Sequence, residues 1–349
     1  KNIFESNLKI INVNYYKKIN FISKLTDKFM MFFGSRAQDL RRAQQIKRTT
    51  KKLKKEKLPV FDIAYVEYAS NAIMLMQYFK EFDIPFVVHV HGYDVTSRIK
   101  DDFYLKNLKK VFALTKNIIT PSLHLKRYLI LLGCPALKIK VVYPFIILED
   151  VQPLNWKHRY ELKPNITFLG RLTAKKNPIA LILAFALVLK KRPEIVMNIL
   201  GNGELMEACK LKVKDLGIDK SVCFHGVINR QKGFEILNNS WVYTQHSVTA
   251  LSGDQEGFPV SLAEAALHGL PIVSTIHSGI TENVIDGVTG FVVQEYDYVK
   301  MADKILYLIE NPKKAQEMGD KGREHIIDLC KEPNRISSIK KILFHTFKK

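Results

Sequence analysis

The sequence has little of what fibrous, disordered or membrane-spanning proteins are made from. Its 349 residues include only 17 glycines and 13 prolines, while 47% of the residues are hydrophobic and 25% are charged. This composition excludes collagen-like, coiled-coil and disordered chains. The longest purely apolar run, Ile179 to Leu189, has 11 residues, whereas a membrane-spanning helix needs about 20. The length is that of two globular domains, each able to bury its own core.

Cysteine is also scarce. The chain has four cysteines, which form no CxxC pair and have no histidine at zinc-ligand spacing: Cys134, Cys209, Cys223 and Cys330. Disulfide scaffolds are therefore excluded. We interpret all four as buried thiols in a reducing compartment, and we expect a cytoplasmic protein.

Positive charge is abundant and concentrated near the start of the chain. The formal net charge is +20, and residues 1–60 hold 16 basic against four acidic side chains. An apolar stripe from Ile22 to Phe33 precedes basic residues that run from Arg41 to Lys57, which predicts a helical segment over about 20–57. This segment suits either a helix lying on an anionic membrane surface or a solvated helix packed on its own domain. Nucleic acid is disfavoured, because no zinc finger, RRM or helix-turn-helix signature occurs.

Short apolar runs rich in β-branched residues alternate with helical spacing from Phe61 onward. Such continuous runs suit strands buried on both faces of parallel sheets. We therefore predict two α/β domains, each a doubly wound parallel sheet. The predicted strands are residues 61–66, 86–90, 117–120 and 140–145, followed by 166–170, 195–200, 222–226, 241–244, 271–275 and 290–293.

The domain boundaries follow from the same pattern. We predict an N-terminal domain over residues 1–147, a C-terminal domain over 166–332 and a final helix over 333–349. The interval 148–165 shows neither strand nor helix periodicity, and we predict that it is a linker. Ligands of open parallel sheets bind at the carboxyl ends of strands, so the loops after these strands are where chemistry is expected.

The loop and helix of residues 254–275 form the sharpest motif. Pro259 and the stop signals Gly269 and Pro271 predict a helix from about Pro259 to His268. Its free N-terminal amides suit a diphosphate. Glu256 would lie beside an attached sugar, and Glu264 would reach neighbouring hydroxyls. The alternative is that Glu256 caps the helix and Glu264 is a solvated surface charge.

Two cations follow the strand at 166–170. Arg171 comes directly after that strand, and Lys176 lies at the mouth of the next helix. At the carboxyl end of a parallel strand both can neutralise a departing diphosphate, which is a large catalytic contribution. We expect the neighbouring Lys175 to be the more solvated of the lysine pair.

Two further turns contain candidate residues. In HVHGYDVT at 89–96, Gly92 allows close backbone approach while His91 and Asp94 project from the turn. We interpret His89 as structural, since a zinc site with His91 has no evident third ligand. In LGNGEL at 200–205, Gly201 and Gly203 allow close approach to a nucleotide. Met206 replaces the last glycine of a dinucleotide fingerprint, which disfavours a nicotinamide site.

Four motifs occur in the order known from one enzyme family. They are HGYDVT at 91–96, GRLTAKKN at 170–177, EGFPVSLAEA at 256–265 and SGITENVIDGVTGFVV at 278–293. Together they make the chain from Phe61 to Cys330 resemble the retaining glycosyltransferases of family four, which have the GT-B fold. The lead-in HSVTALSGDQEG is similar to the branch that builds bacterial exopolysaccharide, colanic-acid-like polymers and O-antigen.

The resemblance implies two Rossmann-like domains facing a cleft, with no metal and no cofactor. Arg171 and Lys176 would contact the diphosphate of a UDP- or GDP-sugar, Glu264 the ribose, and Glu256 the transferred sugar. His91 would lie on the acceptor side, with Gly92 and Asp94 shaping its turn. The final helix would cross back to the first domain. The loop that assists Glu256 would be Gly257, Phe258, Pro259 and Val260.

The chain departs from the family pattern at several points. Asn177 stands where the family usually has glycine, and Tyr143 to Ile146 replace the common Asn-Gly hinge. Nothing before Phe61 supplies the family's first strand, glycine-rich loop and helix. We therefore expect an N-terminally truncated first domain and an impaired activity.

The implied reaction is hexosyl transfer with retention of configuration, in which the leaving phosphate takes the acceptor proton. The implied acceptor is a saccharide carried on a polyprenyl diphosphate. Together with the basic N-terminal segment, this suggests a protein at the inner face of the plasma membrane. Two alternatives stay open: a GT-B epimerase or phosphorylase, and a non-catalytic carbohydrate-binding or membrane-associated relative.

Overall fold

The computed structural model describes residues 34–56, 61–144, 146, 151, 155–330 and 332–347. The chain divides into two compact units, Lys1–Leu58 and Pro59–Lys349. Within the described residues, no helix is both long and apolar enough to cross a membrane.

The first unit contains the helix α1, Gly34–Lys55, which includes the basic residues from Arg41 onward. Its last turn has three lysines, Lys52, Lys54 and Lys55. Cations in a last turn offset the negative end of the helix dipole. The apolar stripe from Ile22 to Phe33 lies outside the described residues.

The second unit starts with a four-stranded parallel sheet of order β1-β2-β3-β4. Val87, Val88, Ile118 and Ile119 are fully buried in its two central strands, as expected for strands covered on both faces. The elements are β1 Ala64–Glu67, α2 Ala69–Glu81, β2 Phe86–His89, α3 Gly92–Val95, α4 Asp102–Leu114, β3 Asn117–Thr120, α5 Leu123–Leu131 and β4 Ile139–Val141.

A six-stranded parallel sheet of order β10-β9-β8-β5-β6-β7 follows. The chain order reverses beside β5, and ligands of open parallel sheets bind outside the strand ends at such a point. The elements are α6 Trp156–Glu161, β5 Asn165–Leu169, α7 Pro178–Lys191, β6 Val196–Leu200, α8 Met206–Asp215, β7 Val222–Gly226, α9 Arg230–Asn238, β8 Val242–Thr244, α10 Val260–Leu267, β9 Ile272–Thr275, α11 Ile280–Asn283, β10 Gly290–Val293, α12 Tyr298–Glu310 and α13 Pro312–Leu329.

The core of the second sheet explains the apolar run noted in the sequence. Residues 179–189 lie in α7, where Leu181, Ile182 and Phe185 are fully buried in one cluster with the strands and α12. Burial of each such side chain is worth about 1.5–3 kcal/mol. The run is therefore a core helix.

The last helix, α14 (Glu332–Phe347), packs on the first sheet. Ile339, Ile342 and Leu343 contact a buried cluster of Val87, Ile119 and Val142. The Asn117 side-chain nitrogen donates to Thr346 Oγ1 at 2.8 Å. These contacts tie the end of the chain to the sheet at the start of the second unit.

The predicted class, two α/β domains with parallel sheets, is confirmed. The run at 140–145 is shorter than predicted, since its strand ends at Val141. The interval 148–165 contains α6, because Asn155 accepts a hydrogen bond from the His158 amide and caps a helix too short to show periodicity. Cys223 is exposed, and its predicted burial is wrong because it lies on the edge strand β7.

A close helix contact gives a test of this packing. Gly319 of α13 lies against the Gly269 carbonyl after α10, and a β-carbon there would overlap it. We expect Gly319→Ala to lower the free energy of unfolding by about 1–3 kcal/mol, measured by urea titration.

The matched control is Gly233→Ala in α9, where a β-carbon meets only Ile228 Cδ1 at 3.7 Å. This change should stabilise the protein by up to ~1 kcal/mol, since alanine is the better helix former. Equal effects of the two substitutions would contradict the packing described here.

Candidate functional site

The loop between β5 and α7 places two adjacent lysines at the strand end. A 3-10 turn, Ala174–Lys176, ends at Asn177, whose φ of 38° is left-handed. Asparagine tolerates this conformation better than most residues, and Asn177 also accepts a hydrogen bond from the Ala180 amide and caps α7. Asparagine thus replaces the family's glycine without losing the turn.

A buried ion pair joins this loop to the segment before α10. Lys176 Nζ lies 3.1 Å from Glu256 Oε1, and the two side chains are only 11% and 8% exposed. Burial alone would raise the pKa of Glu256, but the ammonium groups of Lys176 and Lys175 outweigh it and hold the pKa below its ordinary value. The structure thus places two of the candidate residues in direct contact.

Lys175 is also engaged. Its Nζ lies 3.2 Å from Asp254 Oδ2 and 3.4 Å from the Gln255 carbonyl oxygen, and its side chain is 17% exposed. Lys175 is the more exposed of the two lysines, as expected, but the loop before α10 also supplies it with a carboxylate. Both lysines thus connect the loop between β5 and α7 to the segment before α10.

Gln245, directly after β8, lies beneath the ion pair. Its side-chain oxygen accepts a hydrogen bond from Lys176 Nζ at 3.0 Å and lies 3.3 Å from the hydroxyls of Tyr243 and Ser261. Sequence reasoning missed this residue. The signal was a glutamine at the carboxyl end of a fully buried strand.

The helix α10 begins one residue later than predicted. Pro259 is its N-cap, and the helix runs from Val260 to Leu267. Glu264 is half-buried in it, and burial raises the pKa of its carboxyl. Burial also raises the pKa of Tyr243, with further contributions from Glu264 and Glu256. Both acids therefore lie near one phenol.

Arg171 is placed differently from Lys176. It follows β5 directly and is exposed, whereas Lys176 is buried. Within the described residues, the geometry brings together Lys176, Glu256 and Gln245 and leaves Arg171 at the surface of the same loop.

The glycines Gly201 and Gly203 approach the chain itself. A β-carbon on Gly201 would overlap the Gly170 carbonyl, and one on Gly203 would overlap the Leu172 carbonyl. Both glycines therefore let neighbouring strand-end loops pack, and their approach to a nucleotide stays a prediction. Gly203 also lines a cavity of about 530 Å³, with Asn202, Glu204, Met206, Glu207, Lys210, Phe224, His225 and Gly226.

The turn after β2 is built around Asp94. His91 is the N-cap of α3, and its amide donates to Asp94 Oδ2 at 2.9 Å. The Tyr104 hydroxyl donates to the other carboxylate oxygen at 3.3 Å, and burial raises the pKa of Asp94. Asp94 therefore shapes the turn rather than projecting from it.

At Gly92 the turn after β2 packs against the segment Gln255–Gly257, which contains Glu256. A β-carbon on Gly92 would lie 2.9 Å from the Gln255 carbonyl oxygen and 3.1 Å from the Gly257 nitrogen. Glu256 lies between those two residues in sequence. His91, beside Gly92, is therefore placed next to the segment that contains Glu256.

Glu67, at the end of β1, was missed by sequence reasoning. Its carboxylate lies 2.8 Å from His91 Nε2 and 3.4 Å from His89 Nδ1. Burial would raise the pKa of Glu67, but hydrogen bonds with both histidines hold it well below its ordinary range. The three residues offer atoms within 4.8 Å of one another that could hold a metal, so the zinc interpretation does have a third ligand.

Glu282 of α11 connects the two sheets at a second point. Its carboxylate accepts hydrogen bonds from the amides of Leu123 at 2.8 Å and His124 at 2.9 Å, which are the first two of α5. The Tyr143 hydroxyl donates to it at 2.8 Å. The first amides of a helix lack internal partners and favour a carboxylate.

Sequence profiles of two families match consecutive parts of the chain. That of Glycosyltransferase Family 4 matches residues 19–150, and that of Glycosyl transferases group 1 matches residues 154–325. The amylovoran biosynthesis glycosyltransferase AmsK of Erwinia amylovora is 31% identical over 220 residues. The alignment covers 62% of this chain and 53% of AmsK, so the chain spans about half the length of that relative.

Solved structures share the fold. Alr3699/HepE of Anabaena, in complex with UDP and glucose, gives a TM-score of 0.72 at 19% identity, covering 85% of this chain and 80% of that chain. The lipopolysaccharide outer core galactosyltransferase WaaB, in its apo form, gives 0.67 at 19% identity, covering 88% and 80%. The predicted GT-B architecture is confirmed.

The buried pair can be tested by a double-mutant cycle. Lys176→Met or Glu256→Gln alone should lower the free energy of unfolding by about 3–5 kcal/mol, because each leaves a buried partner uncompensated. The double variant should lose less than the sum of the two. Because the Glu256 pKa is lowered on folding, its contribution is present above about pH 4.3 and is lost as the pH falls further.

The control for this cycle is Lys321→Met, which removes an exposed pair with Glu317 and should cost no more than ~1 kcal/mol. Urea titrations at pH 7 and pH 3.5 supply the measurement. Strict additivity of the two single substitutions would show that the pair does not act as a unit.

The Glu282 contact is tested by hydrogen exchange. In Glu282→Ala we expect the amides of Leu123 and His124 to exchange at least ~10-fold faster, since a hydrogen bond to a charged group is worth about 1.5–3 kcal/mol. Glu324→Ala, at an exposed position of α13, is the control. Unchanged protection in Glu282→Ala would show that the carboxylate does not hold α5.

Proposed function

Because the chain is a GT-B protein of the group 1/family 4 glycosyltransferase type, we propose that it transfers a hexose-type sugar from a nucleotide-sugar to a saccharide acceptor. The reaction would belong to polysaccharide biosynthesis, as the sequence similarity to AmsK suggests. The observation that carries the proposal is the buried Lys176–Glu256 pair at the start of α10.

The diphosphate of the donor binds at this pair. An ammonium group has three N–H donors. Lys176 Nζ donates one hydrogen bond to Gln245 and lies 3.1 Å from Glu256 Oε1, so donor capacity is left for a phosphate oxygen. The amides of Val260 and Ser261, at the start of α10, attract an anion through the helix dipole. Arg171, exposed on the same loop, adds charge as the diphosphate departs.

The two acids recognise hydroxyls on either side of the diphosphate. Glu256 is kept ionised by Lys176 and accepts hydrogen bonds from the transferred sugar. Glu264, half-buried one turn into α10, accepts them from the ribose. The cavity beside Gly203 and His225 opens at the ends of β6 and β7 and takes the base of a UDP- or GDP-sugar.

Transfer proceeds with retention at the front face of the sugar. The bond from the anomeric carbon to the diphosphate oxygen breaks while the acceptor oxygen bonds to the same carbon, and the leaving phosphate oxygen takes the acceptor proton. Lys176, Arg171 and the helix amides stabilise the negative charge that develops. Since these groups supply the positive charge, the proposal requires neither metal nor cofactor.

The acceptor is a lipid-linked saccharide at the inner face of the plasma membrane. The support for this is electrostatic: α1 contributes a dense run of basic residues, and each one near an anionic lipid surface is worth about 1 kcal/mol. The protein would then act in the cytoplasm as a peripheral enzyme.

Turnover of site variants tests the reaction. UDP- and GDP-hexoses are first screened for a rise in melting temperature, which ligand binding to the native state produces. With the best donor, Lys176→Ala and Glu256→Ala should each reduce turnover at least ~100-fold, the scale for removing one transition-state contact. Lys190→Ala, exposed in the last turn of α7, should match the wild type.

Circular dichroism at the assay temperature confirms that each variant is folded. Normal turnover in both site variants would contradict the assignment. Release of an epimerised donor, or transfer of sugar to inorganic phosphate, would identify an epimerase or phosphorylase instead.

A further inference from the structure

The carboxylate of Glu67 has no part in the donor chemistry, yet three polar side chains converge around it. Tyr65 Oη lies 3.0 Å from Glu67 Oε1 and 2.6 Å from His89 Nδ1. His91 Nε2 lies 2.8 Å from Glu67 Oε2. All four residues come from the carboxyl ends of β1 and β2 or the turn that follows, which is the ligand-binding edge of a parallel sheet.

The protons in this cluster can be assigned from burial. His89 is 3% exposed, and its Nε2 has no hydrogen-bond partner within the described part of the chain. A proton there would bury an N–H without an acceptor, so the proton belongs on Nδ1. His89 Nδ1 then donates to Tyr65 Oη, and the Tyr65 hydroxyl donates to Glu67 Oε1.

This arrangement leaves Glu67 with unused acceptor capacity. His91 Nε2 donates to Oε2 and Tyr65 to Oε1, while a carboxylate offers about four lone-pair sites. The Glu67 side chain is 45% exposed, so the remaining sites face solvent. An ionised acceptor-only group of this kind binds hydroxyls and repels anions.

The position of the cluster connects it to the donor site. His91 adjoins Gly92, which packs on the Gln255–Gly257 segment beside Glu256. A ligand on Glu67 therefore lies on the first-sheet side of the place where Glu256 is proposed to hold the donor sugar. This is where an acceptor has to approach.

We propose that Glu67 is an acceptor-binding residue, which accepts hydrogen bonds from the hydroxyls of a neutral sugar and holds His91 beside them. The inference rests on the proposed transfer reaction. The sugar unit that binds at this subsite therefore has free hydroxyls and no carboxylate.

A divalent cation is the competing occupant of the same three residues. Zinc bound to His89 Nδ1 would force the ring proton onto Nε2, where the described residues provide no acceptor. The hydrogen-bond assignment therefore opposes a metal here. Metal binding is accordingly one of the outcomes that the experiment must distinguish.

Ligand-observed NMR with the full chain tests the proposal. The probes are the methyl glycosides of glucose, galactose and mannose, and the methyl glycosides of glucuronic and galacturonic acid. We expect the wild type to bind at least one neutral glycoside at least 10-fold more tightly than either uronic acid. In Glu67→Gln this preference should shrink or reverse, because the amide can donate to a carboxylate.

The matched control is Asp62→Asn, an exposed carboxylate-to-amide change in the same unit, which should keep the wild-type preference. Long-range ¹H–¹⁵N spectra give a second readout: the His91 ring should carry its proton on Nε2 in the wild type and lose that tautomer preference in Glu67→Ala. A merely structural role for Glu67 would not alter the selectivity between neutral and acidic sugars.

Three results would overturn the proposal. They are no binding of any neutral glycoside by the wild type, an unchanged preference in Glu67→Gln, and stoichiometric zinc uptake from ZnCl₂ that Glu67→Gln abolishes. Thermal shifts with UDP-glucose and GDP-mannose separate this inference from the proposed function. If donor binds and the preference is unaffected, only the role of Glu67 fails; if neither donor binds the wild type, the donor site itself is in error.

Discussion

The site depends on an ion pair between a buried lysine and a buried glutamate. Lys176 and Glu256 lie 3.1 Å apart with little exposure, and each would carry a large desolvation cost without the other. Their pairing forces the loop after β5 to meet the segment before α10. It also keeps the pKa of Glu256 below its ordinary value, and the proposed function places the donor diphosphate at this pair.

Parallel topology supplies the rest of the geometry. In both sheets the carboxyl ends of the strands lie on one edge, so side chains far apart in sequence converge there. Gly92 allows the turn after β2 to approach Gly257, and Glu282 satisfies the first amides of α5. These contacts align the edge that holds Glu67 and His91 with the edge that holds the ion pair, which is the arrangement a two-substrate transfer requires.

The strands, the fold class and the candidates Lys176 and Glu256 could be predicted, because they depend on local apolar runs and on motifs of fixed spacing. Residues whose role depends on a partner in another loop were missed. In the sequence Glu67 is an ordinary charge at the end of a strand, and its role is visible only with His91 beside it. In the same way, the role of Gln245 depends on its contact with Lys176, and that of Lys175 on its contact with Asp254. The packing role of Gly201 and Gly203 was missed for the same reason, since their close neighbours are carbonyls of the preceding loop.

A crystal structure with the nucleoside diphosphate that stabilises the chain most tests the central claim directly. The account predicts diphosphate oxygens within hydrogen-bond distance of Lys176 Nζ and of the Val260 and Ser261 amides, with Lys176 still paired to Glu256. A diphosphate bound away from α10, with no contact to Lys176, would contradict it.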